Sequence, residues 1–429
     1  MKFAAAGDAI IQRRIDESFE GYSEICPYIS DADVKFFNLE TTLNKEGECY
    51  ASQFSGGTYI RTNPEVLEDL KRFGFNMTTF NNNHALDFSY EGLYLTLDAL
   101  DKSGLVHGGV GMNMRDASKP VYIDTEAGRV ALIALNTTFD EPMLAGNSSP
   151  RVKGRPGING IRVNKTVTLP EKELCELRRI VDMSAINVQR IIEAKEGYYA
   201  LPNNDEVFFG PVRCIKGEKA DVVYTPHPTD VERIKATIAE AKENSDYLIV
   251  SLHSHQLAGE HKETVPKYLE ALSHLMIDLG ANAIIGHGPH LLRPFEVYKD
   301  SPIFYSLGDF ILELYDVEFA PADFYEKYGV STEEPVKELL RVRSKNFTVG
   351  LMTDPRMFLS VIPIWETEGS KLVSLKLLPI MGNMGEKDQG LPRICSAKAV
   401  IDYLGEMSKP YGISMKETAD GLIECEFCK

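Results

Sequence analysis

Residues 79–88 read T-F-N-N-N-H-A-L-D-F: three asparagines and a histidine follow directly on the strand-like run Phe75–Phe80, and Asp87 lies three positions beyond His84. Short apolar runs of this kind are the pattern of strands buried on both faces. The amides and the imidazole therefore stand where a buried strand runs out, and what they do there decides how the rest of the chain is read.

The same arrangement recurs. Lys2–Ala6, Val34–Leu39, Val130–Asn136, Tyr247–Leu252, Ala283–Ile285 and Ile303–Leu307 are short apolar runs with polar or glycine residues at their C-terminal ends. Helical patterns lie between several of them. Val265, Tyr268, Leu269, Leu272, Leu275, Met276 and Leu279 fall on one stripe. Asn63-Pro64, Glu65–Phe73 and Gly74 make a helix with a cap, a first-turn proline and a terminal glycine. Strands alternating with helices predict an α/β fold whose reactive residues gather at strand ends.

From Phe347 to Ile380 the character changes. FTVGLMTD, FLSVIPIWETEG and SKLVSLKLLPI follow one another with turn-length gaps, which predicts antiparallel strands joining a second sheet. Two intervals interrupt the rhythm and are read as insertions in a single domain spanning 1–429. Residues 150–235 hold G-R-P-G-I-N-G, a charged helix near 171–196 and a loop-rich tract ending in H-P-T-D, while 315–345 is acidic and tyrosine-rich. Either could form a lid or a substrate wall.

A net charge of −17 and a pI near 5.1 oppose the approach of a phosphate backbone, which argues against nucleic acid as the main partner. No stretch approaches the roughly 20 apolar residues that span a bilayer, and the opening MKFAAAGDAI meets an acidic residue too early for a signal peptide. The expectation is a soluble cytoplasmic chain without membrane insertion. Seven scattered cysteines fit free thiols, and the one close pair, Cys425 and Cys428, reads as a reduced, frayed terminus.

The residues at the strand ends form a set. Asp8 follows Gly7, Glu40 follows Asn38-Leu39, Asn82 and Asn83 precede His84, His253 and His255 share H-S-H, and His287 and His290 share G-H-G-P-H. Carboxylates, an amide and imidazoles without thiolates suit zinc, manganese or iron. Singly, each has a plainer role: Asp8 as a turn cap, His84 as a histidine satisfied by Asp87, and His107, His227, His261 and His274 in similar positions. Five strand ends agreeing favours one cleft.

In order, G-D, N-L-E-T-T-L, N-N-H-A-L-D, G-H-G-P-H and P-I-F-Y-S-L-G-D-F resemble the CapA family, named for capsule and poly-γ-glutamate synthesis proteins, over most of residues 1–312. The resemblance implies the calcineurin-like metallophosphoesterase fold, a four-layer α/β/β/α sandwich with insertions. It also implies that Asp8, Glu40, Asn83, His253 and one or both of His287 and His290 are metal ligands, and that His84, oriented by Asp87, protonates the leaving group. The chain departs from that pattern at Ile10, where an apolar side chain replaces a histidine ligand, and at H-S-H-Q, where relatives commonly have H-W-G-x-E. His255, Arg293 and Arg155 are assigned to the substrate.

The function expected is metal-assisted hydrolysis of a small-molecule, peptide or anionic-polymer substrate, carboxylate-rich or a phosphoester. The cofactor is divalent manganese, zinc or iron, as a pair, one ion or none. The missing histidine motivates an alternative, a metal-independent epimerase or racemase exchanging an α-proton in the same cleft. A third reading is a non-catalytic component of polymer synthesis or export.

Overall fold

Alternation along buried strands places successive side chains on opposite faces, and the opening strand Lys2–Ile10 shows the result. In the computed structural model, which describes residues 1–385 and 388–427, Phe3 and Ala5 face one way and Ala4 and Ala6 the other. Phe3 and Ala5 join Val130, Leu132, Tyr247, Ile249, Ala283, Ile285 and Phe304 in a core between two sheets. Ala4 and Ala6 meet Ile25, Leu67, Leu70, Leu93 and Leu100 from the helices Glu20–Ile29, Val66–Arg72 and Ser89–Ser103.

The larger sheet has ten strands. Its main path runs Ile413–Glu417, Ile423–Phe427, Lys371–Gly382, Leu359–Glu368, Lys2–Ile10, Val34–Leu39, Met77–Thr79 and Val106–Gly108, and Asp309–Leu312 pairs with the opening strand off this path. The second sheet orders Phe295–Tyr298, Ser301–Phe304, Ala283–His287, Tyr247–His253, Gly128–Asn136 and Val121–Thr125. The helix Lys267–Leu279 covers its outer side, packing on Ala283–His287 through a stripe that includes Leu269, Leu272 and Met276. Helix, sheet, sheet and helix make the expected four-layer α/β/β/α sandwich.

At the centre, Phe3 stacks between Tyr247 (4.3 Å between ring centres) and Trp365 (5.0 Å). Trp365 Nε1 donates to the Tyr247 hydroxyl at 3.0 Å, so the buried indole N–H is satisfied across the sandwich.

This packing corrects the reading of the strands. The apolar strands that look alike in sequence are divided between the two sheets, and the Leu359–Glu368/Lys371–Gly382 hairpin extends the sheet of the opening strand, pairing Phe3 with Trp365. FTVGLMTD is no strand. Lys345, Asn346 and Phe347 are left-handed (φ +50, +62 and +57°) and Gly350 has φ +109°, so the chain enters short 3-10 turns at Leu351–Thr353 and Pro355–Met357. The charged helix is two, Glu171–Ser184 and Val188–Lys195, broken at left-handed Ala185. Cys425 is buried in the strand Ile423–Phe427 rather than frayed, and Cys428 lies outside the described residues. The described cysteines are free thiols.

The chain divides into two compact units, Met1–Gly160 with Arg233–Lys429, and Ile161–Glu232. The second has its own four-stranded sheet and a small core of Leu174, Val181, Val207 and Cys214. Within 315–345, the helices Ala322–Tyr328 and Val336–Arg343 bury Phe324, Tyr325, Leu339 and Leu340 against Ile10, Tyr59 and Phe88. Among the described residues no helix is long and apolar enough to cross a membrane.

Candidate metal centre

Parallel strands end on the same side, and register decides which of their last residues meet. Asp8 lies opposite Asn38, and Asn38 opposite Thr79, in the larger sheet. In the second sheet His253 lies opposite both His287 and Asn136. The chain turns into the cleft directly after these positions, which brings Glu40, Asn83, His84, His255 and His290 into the same place.

Glu40 is the centre of the cluster. It is 0% exposed, no N–H or hydroxyl among the described residues donates to either of its oxygens, and its Oε1 lies 3.7 Å from His253 Nε2, 3.9 Å from His255 Nε2 and 4.0 Å from His84 Nε2. Asn83 Oδ1 is 2.7 Å from His253 Nε2 and 3.1 Å from His255 Nε2. The two Nε2 atoms are 3.0 Å apart. Behind them His253 Nδ1 meets His287 Nδ1 at 2.9 Å, and His287 Nε2 meets Ser251 Oγ at 2.6 Å.

Asp8 is also fully buried. Its Oδ1 accepts from Asn38 Nδ2 (2.6 Å) and its Oδ2 from the Gly288 N–H (2.8 Å), and His287 Nδ1 is 3.4 Å away. His290, left-handed at φ +60°, places Nδ1 3.0 Å from Asp309 Oδ1. His84 Nδ1 is 2.7 Å from Asp87 Oδ2, and Asp87 is fixed by the Gly56 and Ile60 N–H groups.

Burial sets the charges. It lifts Asp8 to about 7, with Asp309 adding repulsion, and raises Glu40 well above the carboxylate range, with Asp8 and Asp309 adding to it. Burial and then the neighbouring imidazoles hold His253 and His255 well below the usual imidazole value. Burial brings His287 down to about 3. For His290 burial pulls down, but the Asp309 carboxylate outweighs it and the net direction is up. Neutral imidazoles are what a metal ion requires.

The donor set fits a divalent cation. A buried carboxylate with both oxygens unpartnered is costly, and ligand atoms about 2.0–2.2 Å from a shared ion stand at the separations seen around Glu40. Among the described residues three groups have ligand atoms within 4.8 Å of one another: Asp8, His253 and His287; Glu40, His253 and His255; Asp8, His290 and Asp309.

Above the cluster opens a cavity of about 360 Å³ into which His84, His255 and His290 project with Lys262, Tyr315, Leu340, Arg343 and Met352. The substrate assignments divide here. His255 lines the cavity. Arg293 does not: it is 1% exposed and donates from Nε to the Lys262 carbonyl and from Nη2 to the Gln256 carbonyl, clamping that loop. Arg155 donates to the Leu144 carbonyl away from the cavity.

Asp309, Lys262 and Arg343 were missed by the sequence reading. Asp309 stands in the quoted S-L-G-D-F but begins its strand, so a search of strand ends passes it over. The two cations lie among many surface lysines and arginines.

The family model for the bacterial capsule synthesis protein PGA_cap matches residues 2–313. The chain is similar to protein y4sH of Sinorhizobium fredii, 31% identical over 95% of this chain and 89% of that one. It is similar to the capsule biosynthesis protein CapA of Bacillus anthracis, 24% identical over 72% of this chain and 58% of that one. Among solved structures, a hypothetical protein from Thermus thermophilus aligns over 88% of this chain and 98% of that one, at 11% identity and a TM-score of 0.39.

Proposed function

Because this chain belongs to the PGA_cap family of bacterial capsule synthesis proteins, we propose that it is a metal-dependent hydrolase of an anionic substrate, a carboxylate-rich peptide or polymer or a phosphoester. The observation that carries this reading is Glu40, a fully buried carboxylate to which no N–H or hydroxyl among the described residues donates, facing three imidazole Nε2 atoms at 3.7–4.0 Å. The residues suited to hold the cation are Asp8, Glu40, Asn83, His253, His255 and His287. When bound there, a divalent ion supplies Lewis-acid activation of water near neutral pH.

The chain's own groups do the rest. His84 keeps Nδ1–H on Asp87, which leaves Nε2 toward the cavity, and the protonated ring gives its Nε2 proton to the departing group. Arg343 donates to Thr58 Oγ1, and among the described residues neither Arg343 nor Lys262 forms a salt bridge, although Lys262 lies within electrostatic reach of Asp354. These two cations bind the anionic part of the substrate, which the summed charge of −17 would otherwise repel. Leu314, Leu340 and Met352 in the cavity wall limit water around the reacting bond.

The test is elemental analysis of the purified protein together with turnover of glutamyl peptides and phosphoesters before and after chelation. A bound divalent ion, loss of turnover on chelation and recovery with manganese or zinc are expected. Full turnover by metal-free protein would overturn the proposal, and solvent deuterium entering an α-carbon without hydrolysis would favour the proton-exchange alternative.

A further inference from the structure

Away from the imidazoles, much of the wall of the cavity over the cluster is apolar, and that wall is drawn from segments far apart in the chain. Ile10, buried at the end of the opening strand, borders it where the family pattern has a histidine. Leu314 follows the strand Asp309–Leu312, and Leu340 comes from the helix Val336–Arg343. The left-handed residues Lys345, Asn346 and Phe347, with Gly350 at φ +109°, then turn the chain so that Leu351 and Met352 reach the same space. Ile10, Leu340 and Met352 belong to one buried core cluster, and Leu314 and Leu351 pack against it. The apolar surface is therefore in place before any ligand arrives.

Each cation of the cavity comes with an apolar neighbour. Arg343 lies three residues after Leu340 on one helix, a spacing that puts both on the same face. Its guanidinium donates to Thr58 Oγ1 and approaches the Phe324 ring at 5.4 Å. Leu257 and Lys262 line the same cavity from the loop after His255, which Arg293 holds through the Gln256 and Lys262 carbonyls. Leu257 is 51% and Val349 43% exposed, so apolar surface continues outward to the rim. At ~30 Å³ per atom, the share of a water in the liquid, about 360 Å³ holds roughly twelve non-hydrogen atoms. A polymer with a carboxylate on every residue does not match this lining. Carboxylates beyond those that Lys262 and Arg343 meet would be pressed against Leu314, Leu351 and Met352, and an unpaired charge on such a surface is costly.

We infer that the substrate of this cavity is a small amphipathic anion: one phosphate or carboxylate group met by Arg343 and Lys262, joined to an aliphatic or aromatic body of about six to eight carbons that lies on Leu314, Leu340 and Met352. This rests on the reading above that the substrate sits over the cluster, and it narrows the class from anionic polymers, peptides and phosphoesters to small molecules with an apolar body. The other role open to the same wall is to exclude water and nothing more. In that case the apolar size of the ligand would not matter.

The experiment is calorimetric titration of the whole chain, as purified and again with manganese, with n-alkylphosphonates from methyl to dodecyl. Their C–P bond is not hydrolysed, so binding is read apart from turnover. Affinity is expected to rise about 4-fold per methylene, to level off near hexyl to octyl, and to carry a heat-capacity change that grows more negative with chain length. Met352→Gln is expected to cut the gain to about 2-fold per methylene, while Arg343→Ala weakens every member about 10-fold and leaves the increment unchanged. Should Met352→Gln fail to fold by circular dichroism, the wild-type series decides. Equal affinity from methyl to octyl, or no binding of any member, would overturn the inference and leave the hydrolase proposal standing. Tighter binding of a γ-glutamyl tetramer than of every phosphonate would do the same. A gain that continues through dodecyl would overturn the small-molecule class in favour of a lipid. A rising series that levels off, on a protein that turns over neither glutamyl peptides nor phosphoesters, would uphold the inference and remove the hydrolase proposal.

Discussion

Two groups of buried carboxylates in the same unit have been treated in opposite ways. Asp69, 0% exposed, accepts from Arg14 Nε (2.5 Å) and Nη2 (2.9 Å), from Arg72 Nη1 (3.1 Å) and from the Ile15 N–H (3.0 Å). Glu313, equally buried, accepts from Arg13 Nε and from the Gln12 N–H, each at 2.8 Å. Asp8, Glu40 and Asp309 are buried to the same degree, yet no arginine or lysine among the described residues pairs with them; imidazoles surround them instead. Burial alone therefore does not mark a functional carboxylate. What distinguishes the second group is that no arginine or lysine balances it and that burial keeps His253, His255 and His287 among its neighbours neutral, the arrangement that the metal reading proposed above calls for.

The sharpest way to break this contrast is to exchange the outcomes. Glu40→Gln should abolish cation uptake at the cluster and lower turnover by at least about 10³-fold, as losses from groups acting as a unit do, while the chelated protein unfolds in urea at the same or a higher concentration. Asp69→Ala should do the reverse: cation content and turnover unchanged, with stability lowered by roughly 2–3 kcal/mol in urea because the Ile15 N–H is left buried without a partner and charged hydrogen bonds are lost. A Glu40 variant that unfolds as readily as the Asp69 variant would erase the distinction.

A smaller effect is expected at the cavity wall. Arg343→Ala should raise KM for an anionic substrate by about 10-fold with kcat little changed, the mark of binding shared by ground and transition states. The mildest test is pH. Burial raises Asp8 from 3.8 to about 7 in the folded chain, so between those values Asp8 contributes a fall in stability as pH rises, opposed below about pH 6.5 by His253, His255 and His287, whose values burial lowers. In the chelated protein the Asp8 contribution should be complete below about pH 4 and lost as the pH passes 7. Asp8→Asn should remove that contribution, so that stability falls less with pH than in the chelated wild type, read by thermal unfolding across that range.

Much of the site was legible because it stands at the ends of apolar parallel strands, where a period of buried residues stops and side chains of one chemistry begin. Asp8, Glu40, Asn83, His84, His253, His255, His287 and His290 all converge. What was not legible depends on contacts between distant segments. Asp309 joins through a pairing made possible by Gly7 and Gly308, and two glycines separated by most of the chain announce nothing locally. The division of the strands between sheets follows from which apolar faces stack, with Phe3 between Tyr247 and Trp365, and each strand by itself is equally apolar. Arg293 was read as a ligand for substrate because it follows the last histidine motif, but its depth in the fold turns it to two loop carbonyls.

Trp365 is the single tryptophan of the chain, and it is tied by its ring nitrogen to a tyrosine of the opposite sheet. Its ultraviolet emission is consequently a natural optical gauge of the sandwich. A red shift would time the parting of the two sheets without any attached dye, and melting confined to Ile161–Glu232 would leave that colour unchanged.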